Sequence, residues 1–381
     1  MGVENYFQRF ATLNLRVVME NYNKLSEWTK IFVKQISLDL NAILAGAGSL
    51  ADIAREDIKS RVKIARFLMK TLLYENESYN CIFDNISSQK LHIHIANIEH
   101  EQQEVKIIDY LQQIIDFMST APKMLKIVGK FDHLEQEYKY GSDWGFLREN
   151  SSIQNQRYDA VTNQTWNNIG SIKAIITPSL EGAYLIRKSR ITECSWNSDK
   201  TAAIMILAKY MDIESGPLWE NCREPGFCYS VSLTAEIDEG TLTLELYDCS
   251  DLKSAFNAAR QTMNDVLSSE LNNELFAAAQ QKLIGELVNN ECTFRSASSN
   301  AILSTFQGLS PNFLKLFCKR INNMTKTNVK HLAGPSFREL IDDSKSLTAI
   351  SSNNVSNVKS LFTNAIIVRE AKVLQIQPNI D

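Results

Sequence analysis

The stretch GPLWENCREPGFCYSVSL, Gly216 to Leu233, contains two structural transitions. It follows an apolar helical run, TAAIMILAKYMDIES, and precedes the strand-like CYSVSLTAEI. A helix is expected to end near Cys222, a turn at Pro225 and Gly226 to break it, and a strand to begin near Phe227. Arg223 and Tyr229 flank that turn, six positions apart. A helix end and a strand start hold their polar tips together. An Arg fork beside a Tyr hydroxyl can grip a backbone carbonyl or a developing oxyanion. The same residues also fit a plain helix-to-strand corner, with an Arg at the carbonyl end of a helix.

Outward from this stretch, the second half of the chain alternates strands with helices. IKAII and AYLIRK read as short strands, and residues 200–215 as a helix. Tyr229–Ile237 and Thr241–Tyr247 form a hairpin turned by Asp238, Glu239 and Gly240. Leu242, Leu244 and Leu246 alternate with Thr241, Thr243 and Glu245, the pattern of a sheet with one buried face. Helices follow in DLKSAFNAARQTM, ELFAAAQQKLIGELVNN, SASSNAILSTFQGL and PNFLKLFCKRINN. TKTNVKHLAG opens with a helix cap, SLTAISSN is a last strand and NVSNVKSLF a last helix. This is an α+β layout.

The first half reads as helices. Leu25, Trp28, Phe32 and Ile36 share one helical face; Ile58, Val62, Ala65 and Met69 share another. EVKIIDYLQQIIDFMST is a further helix with Ile107, Tyr110, Leu111, Ile114 and Phe117 on its face, and residues 124–131 (MLKIVGKF) read as a buried strand. Residues 132–170 are polar, rich in Asn and Gln, and aperiodic. The expected organisation is a helix-rich α+β domain over 1–135, a linker over 136–170 and a second α+β domain over 171–381, each an antiparallel-rich sheet covered by helices.

Composition narrows the function classes. The 381 residues are 44% hydrophobic, enough for two cores, and the net charge of -4 gives no reason to expect a nucleic-acid partner. No run of about 18 apolar residues suggests a membrane span. MGVENYFQRF has no apolar signal core, and Tyr6 stands where myristoylation wants Ser or Thr. Seven cysteines, an odd number with no CxxC, point to a reducing intracellular setting, cytoplasmic or mitochondrial.

Few constellations carry chemistry. LHIHIANIEH places His92, His94 and His100 close in sequence, but on a helix His92 and His94 point about 200° apart and cannot share a metal. There is no Gly-x-Ser-x-Gly, no local Cys–His signature and no Gly-rich phosphate loop. LIRKSR, residues 185–190, reads as a solvated basic strand end, and Trp219 and Phe227 as core or wall residues. Arg223 and Tyr229 are the candidate site.

Gly216, Pro217, Leu218, Trp219, Arg223, Gly226 and Tyr229 match a stretch of pitrilysin-family zinc metallopeptidases. The segment resembles their C-terminal half, the presequence-protease-like branch above all, with its LuxS/mitochondrial-processing-peptidase-like metallohydrolase fold. Cys228, Ser230 and Pro225 depart from the usual residues. SIKAIITPSLEGAYLIRKS and EIDEGTLTLELYDCSDLKSAFNAARQTM are similar to the flanking elements, and KLSEWTKIFVKQISLDLNAILAGAGSLADIA to the family's third domain. The resemblance implies that Arg223 and Tyr229 reach a zinc site held elsewhere, contact the peptide substrate near the scissile bond and support the oxyanion. It also implies a partner, either a zinc-bearing N-terminal half or a separate subunit. The family's inverted motif His-x-x-Glu-His has its nearest match here at Ala96 to His100, with Ala96 in the place of a ligand, so no cofactor is expected in this chain. A degenerate paralogue serving as a peptide-binding or scaffold subunit is the alternative. The first helices begin partway into a domain, and part of their apolar surface is expected to lack its cover.

Overall fold

Six strands between residues 172 and 368 form one mixed sheet in a computed structural model. It describes residues 13–75, 78–121, 123, 125–127, 129, 144–150, 164–178 and 182–368. The strands are β1 Ile172–Ile176, β2 Ala183–Arg190, β3 Cys228–Glu236, β4 Thr241–Cys249, β5 Ser346–Ser352 and β6 Ile366–Val368, in the order β3-β4-β2-β5-β1-β6. β1 runs parallel to β5 and β6; the other pairings are antiparallel. β5 is buried along its whole length and β2 except at Arg190, because helices cover both faces at the centre of the sheet.

One face carries Leu185, Leu242, Leu244, Leu246 and Ile350. Against it pack α7 (Asp199–Asp212), α8 (Leu252–Ser268), α9 (Asn273–Asn289), α11 (Phe313–Asn323), α12 (Lys326–Ile341) and α13 (Val355–Leu361); α10 (Phe294–Phe306) follows α9 in the chain and adds no residue to this core. The hairpin alternation is as the sequence implies: Thr241, Thr243 and Glu245 turn to the opposite face. That face carries Ile175, Tyr184, Ile186, Leu347 and Ala349, covered by Ile64, Ala65, Leu68 and Leu72 of α3 (Arg61–Leu73). A helix from the first half of the chain thus supplies the second layer of the sheet.

The other α-helices among the described residues of the first half are α1 (Asn23–Lys34), α2 (Leu40–Asp57), α4 (Tyr79–Ile82), α5 (Asn85–Ala96) and α6 (Glu101–Thr120). Ile58 lies in a break between α2 and α3. Ser60 caps α3 by accepting from the Lys63 N–H, so the apolar face begins at Val62. Ile36 lies beyond the end of α1, and Trp28, Ile31 and Phe32 stay exposed. Tyr110, Ile114 and Phe117 of α6 are also exposed, with Ile107 the buried member of that helix. Among the described residues the first half contributes no strand; Leu125–Ile127 are irregular, and most of the expected strand over 124–131 lies outside the described residues. Of the linker, 136–143 and 151–163 also lie outside them. Residues 164–168 dock on the end of α3: Trp166 is buried and Asn168 donates to the Leu72 carbonyl at 3.0 Å.

The reading of LIRKSR as a solvated strand end is overturned. Arg187 and Lys188 are buried, on opposite faces of β2. Arg187 donates to the Leu340 and Ile341 carbonyls at 2.6 and 3.2 Å, capping the end of α12, and to Asp343 at 2.7 Å. Lys188 is held between Glu236 and Glu239, and Tyr74 donates to Glu239 at 2.6 Å. Each charge is paid for by partners that arrive from distant parts of the chain, which a local basic run does not reveal.

Candidate functional site

α7 ends at Asp212, earlier than the sequence suggests, and the chain then winds through a single π-helical turn, Trp219–Arg223. The Glu224 N–H closes it on the Trp219 carbonyl at 3.0 Å. Such a turn widens the helix by one residue and is frequent at functional sites. Cys222 anchors its inner side, buried with its thiol 3.8 Å from the Ala255 carbonyl of α8; burial pushes that thiol up to about 12. Gly226 has φ +79, a conformation that L side chains rarely adopt, and its N–H closes a turn on the Arg223 carbonyl at 2.9 Å. Ser250 then ties that turn to the end of β4, donating to the Gly226 carbonyl at 2.8 Å.

This local path brings Arg223 and Tyr229 together. The Arg223 guanidinium carbon lies 5.5 Å from the Tyr229 ring centroid and 5.8 Å from that of Trp219. Each contact is a cation–π interaction of about 0.5–1 kcal/mol at an exposed site. Among the described residues no carboxylate pairs with Arg223. Tyr229 is 65% exposed, so its hydroxyl is not sealed in the core. Trp219 is half-buried as the floor of the site, with its indole N–H unpartnered.

Two residues missed in the sequence extend the site. Tyr247 meets the Tyr229 ring edge-on at 6.1 Å and the buried Tyr184 ring in the same way at 6.1 Å. Its place after Thr241, Thr243 and Glu245 on the outward face of β4 was the available signal. Asp248, at φ 50, forms a bulge where β4 has one residue more than β2 between the Ala183–Cys249 and Leu185–Leu246 pairs. The bulge breaks the alternation beside Tyr229, and Arg61 of α3 holds it by donating to Asp248 at 2.7 Å. Gly182 fits beneath: its φ is +69, and an added Cβ would lie 2.6 Å from both the Arg61 Nη1 and the Asp248 Oδ1. Gly182→Ala is therefore expected to cost about 1–3 kcal/mol in a denaturant melt; a neutral result would show that the bulge yields.

Behind the site, Asp212 accepts from the Leu233 N–H of β3 at 3.1 Å. Burial, the largest influence, pushes its carboxyl up to about 6 despite Lys209 and that hydrogen bond. A folded value above the unfolded one, about 3.9, means that the native state holds the proton more tightly. This contribution to stability is complete below about pH 4 and is lost as pH rises through about 6. In Asp212→Asn the melting temperature is expected to lose that fall between about pH 4 and 6; an unchanged profile would place the fall elsewhere.

His92, His94 and His100 do not build a metal site. Ala96 ends α5, His100 precedes α6, and the residues between form a connection rather than the continuous helix that places two ligands on one face. His92 and His94 lie in α5 with buried, unpartnered ring nitrogens. Among the described residues no group of three His, Cys, Asp or Glu side chains could hold a metal ion. The described donors do not fit a catalytic zinc. A cleft lined by Gly48, Ser49, Asp52, Glu56 and Lys63 runs along α2 and shares no residue with the Arg223 site. No described helix is long and apolar enough to cross a membrane.

No protein-family model matches the chain. An uncharacterized protein of Caenorhabditis elegans is 24% identical over 347 residues, which is 90% of this chain and 35% of that protein. The chain thus spans about a third of the length of that relative. Among solved structures, the peptidase M16 inactive domain from Pseudomonas fluorescens superposes with a TM-score of 0.56 at 12% identity, over 88% of this chain and 76% of that one. A chain of Complex III2 from Candida albicans, solved with Inz-5 bound, gives 0.57 at 11% identity, over 92% and 82%. The chain has the α+β fold of the inactive domains of M16, or pitrilysin-type, peptidases.

Proposed function

We propose that this chain is the non-catalytic, C-terminal-type portion of a pitrilysin-family metalloendopeptidase of the presequence-protease-like kind. It works inside the cell beside a zinc-bearing N-terminal half or partner subunit. Arg223 and Tyr229 are its contribution to the active site: the guanidinium fork and the phenol bind the peptide backbone near the scissile bond and support the oxyanion. The observation that carries this reading is the exposed Arg223 fork, steadied between two aromatic rings and without a carboxylate partner among the described residues. The likeness to M16 inactive domains supports the placement in the family.

The test is reconstitution. The chain alone is expected to cleave no peptide, and the zinc-bearing portion alone to cleave poorly. Mixing the two should restore zinc-dependent cleavage. A second reading, a scaffold subunit of a larger assembly, is favoured by the likeness to a chain of Complex III2. It would be the better reading if the partner cleaves equally well without this chain. We also propose that 136–170 is a connecting segment between 1–135 and 171–381, two parts that meet where α3 packs on the sheet. Limited proteolysis should then nick first between His133 and Gly170, and first cleavage within 200–330 would argue against the division.

A further inference from the structure

Cys228 opens β3, Cys249 closes β4, and the two are partners across the hairpin ladder. Opposed residues of an antiparallel pair have Cα atoms about 4.5–5.5 Å apart, inside the range of about 4.4–6.8 Å that a disulfide spans. Both side chains turn into the same core, with 4% and 2% of their surface exposed. Strict alternation from Leu246 would put Cys249 on the other face of the sheet. The extra residue at the Asp248 bulge returns it to the core and sets it opposite Cys228. Among the described residues no other two cysteines are ladder partners. The two thiols differ in character. The Cys249 S–H donates to the Cys228 sulfur, and this bond, with the nearby Arg223 guanidinium, holds the Cys228 thiol below its usual value against its burial. The same bond and burial push Cys249 up, so Cys228 becomes the thiolate and Cys249 keeps its proton. A thiolate beside a cation, with a second thiol in reach, is the arrangement of a redox-sensing pair. Cys222 stands apart from it, with its proton held by burial and its thiol turned to the Ala255 carbonyl.

We propose that hydrogen peroxide joins Cys228 and Cys249 in a reversible disulfide, and that this bond fastens the corner that carries Arg223 and Tyr229. The Cys228 thiolate attacks one peroxide oxygen and the O–O bond breaks. The sulfur, oxidised by two electrons, becomes a sulfenic acid; the other oxygen leaves as hydroxide and takes up the proton that Cys228 gave to solvent. The Cys249 sulfur then attacks the Cys228 sulfur, the S–O bond breaks, and the departing hydroxide carries off the Cys249 proton as water. Two thiols and one peroxide give one disulfide and two waters, and a dithiol reverses the change. Cys228 precedes Tyr229 and Cys249 follows Asp248, so the bond ties the start of β3 to the bulge. The ladder already sets the two residues opposite each other, and neither strand has to shift register. Burial selects the oxidant: hydrogen peroxide is close to water in size and enters where a bulky disulfide does not. The proposal does not depend on what Arg223 binds.

The experiment uses the full, fully reduced chain. It is exposed to hydrogen peroxide, quenched in acid, alkylated and mapped by mass spectrometry. The expected product is a peptide linking Cys228 to Cys249, lighter than the reduced pair by two hydrogens and lost on treatment with dithiothreitol. The Ser230 amide should exchange about ten-fold or more slowly in the oxidised chain, because the strand start can no longer open freely. Oxidised glutathione at the same concentration should form the link about ten-fold or more slowly than peroxide. In Cys249→Ser the sulfenic acid has no partner, and dimedone should trap it at Cys228. Cys228 linked to Cys222 instead, or both thiols recovered unlinked at a peroxide dose that fully oxidises the exposed Cys292, would overturn the pair. An unchanged Ser230 amide would overturn the fastening, equal rates with the two oxidants would overturn selection by burial, and no dimedone adduct at Cys228 would overturn the order of attack. The linkage, exchange and oxidant measurements use the unaltered chain, so they decide the proposal even if Cys249→Ser fails to fold.

Discussion

In the reconstituted enzyme, Arg223→Ala is expected to lower peptide turnover by about 10²–10³-fold, the usual loss when an oxyanion donor is removed. The melting temperature should fall by no more than a few degrees. The side chain is exposed, and its loss removes two cation–π contacts worth about 0.5–1 kcal/mol each. Tyr229→Phe sharpens the test, because it keeps the ring that lies against Arg223 and meets Tyr247 edge-on. Only the hydroxyl is removed, and that hydroxyl is at the surface, so a loss of turnover would report contact with substrate rather than a disturbed fold. A plain structural corner makes the opposite forecast. Arg223→Ala would then lower the melting temperature, and Tyr229→Phe would leave turnover unchanged. Measuring both quantities on both variants separates the two.

Arg187→Met should have the largest effect on stability, about 3–5 kcal/mol in a denaturant melt. Methionine is of similar length and can fill the space against Phe256, whose ring centroid is 5.3 Å from the guanidinium carbon. It cannot replace the hydrogen bonds. The Leu340 and Ile341 carbonyls at the end of α12 lose their donor, and a buried group left unsatisfied costs about 1–3 kcal/mol. Asp343 loses its ion pair but is nearly half exposed, so water recovers part of that cost. Arg187→Lys should rescue little, because one ammonium cannot span two carbonyls, Thr348 and a carboxylate. A loss below about 1 kcal/mol would mean that α12 finds another cap.

Arg187 and Arg223 separate what is readable in the sequence from what is not. Both are arginines beside apolar residues. At Arg223 the information is local: a turn residue, Gly226, and a strand start within a few positions bring Tyr229 against it. The same holds for the hairpin, where alternation places Leu242, Leu244 and Leu246 inward without reference to the rest of the chain. At Arg187 the partners lie more than 150 residues away, in the end of α12 and in β5, so a buried cap looked like a solvated strand end. Sequence alone therefore determined most strand and helix types of the second half, though not β6, together with the α+β class and the pairing of Arg223 with Tyr229. Those follow from side-chain periodicity and turn chemistry, which act over a few residues. Tertiary structure decided the parallel placement of β1 beside β5 and the use of α3 as the second layer of the sheet. It also decided the burial of Arg187 and Lys188, the bulge at Asp248 that sets Tyr247 beside Tyr229, and the carboxylate of Asp212 on the edge of β3. Each of these depends on groups that meet only when distant segments pack, and no local pattern encodes such a meeting.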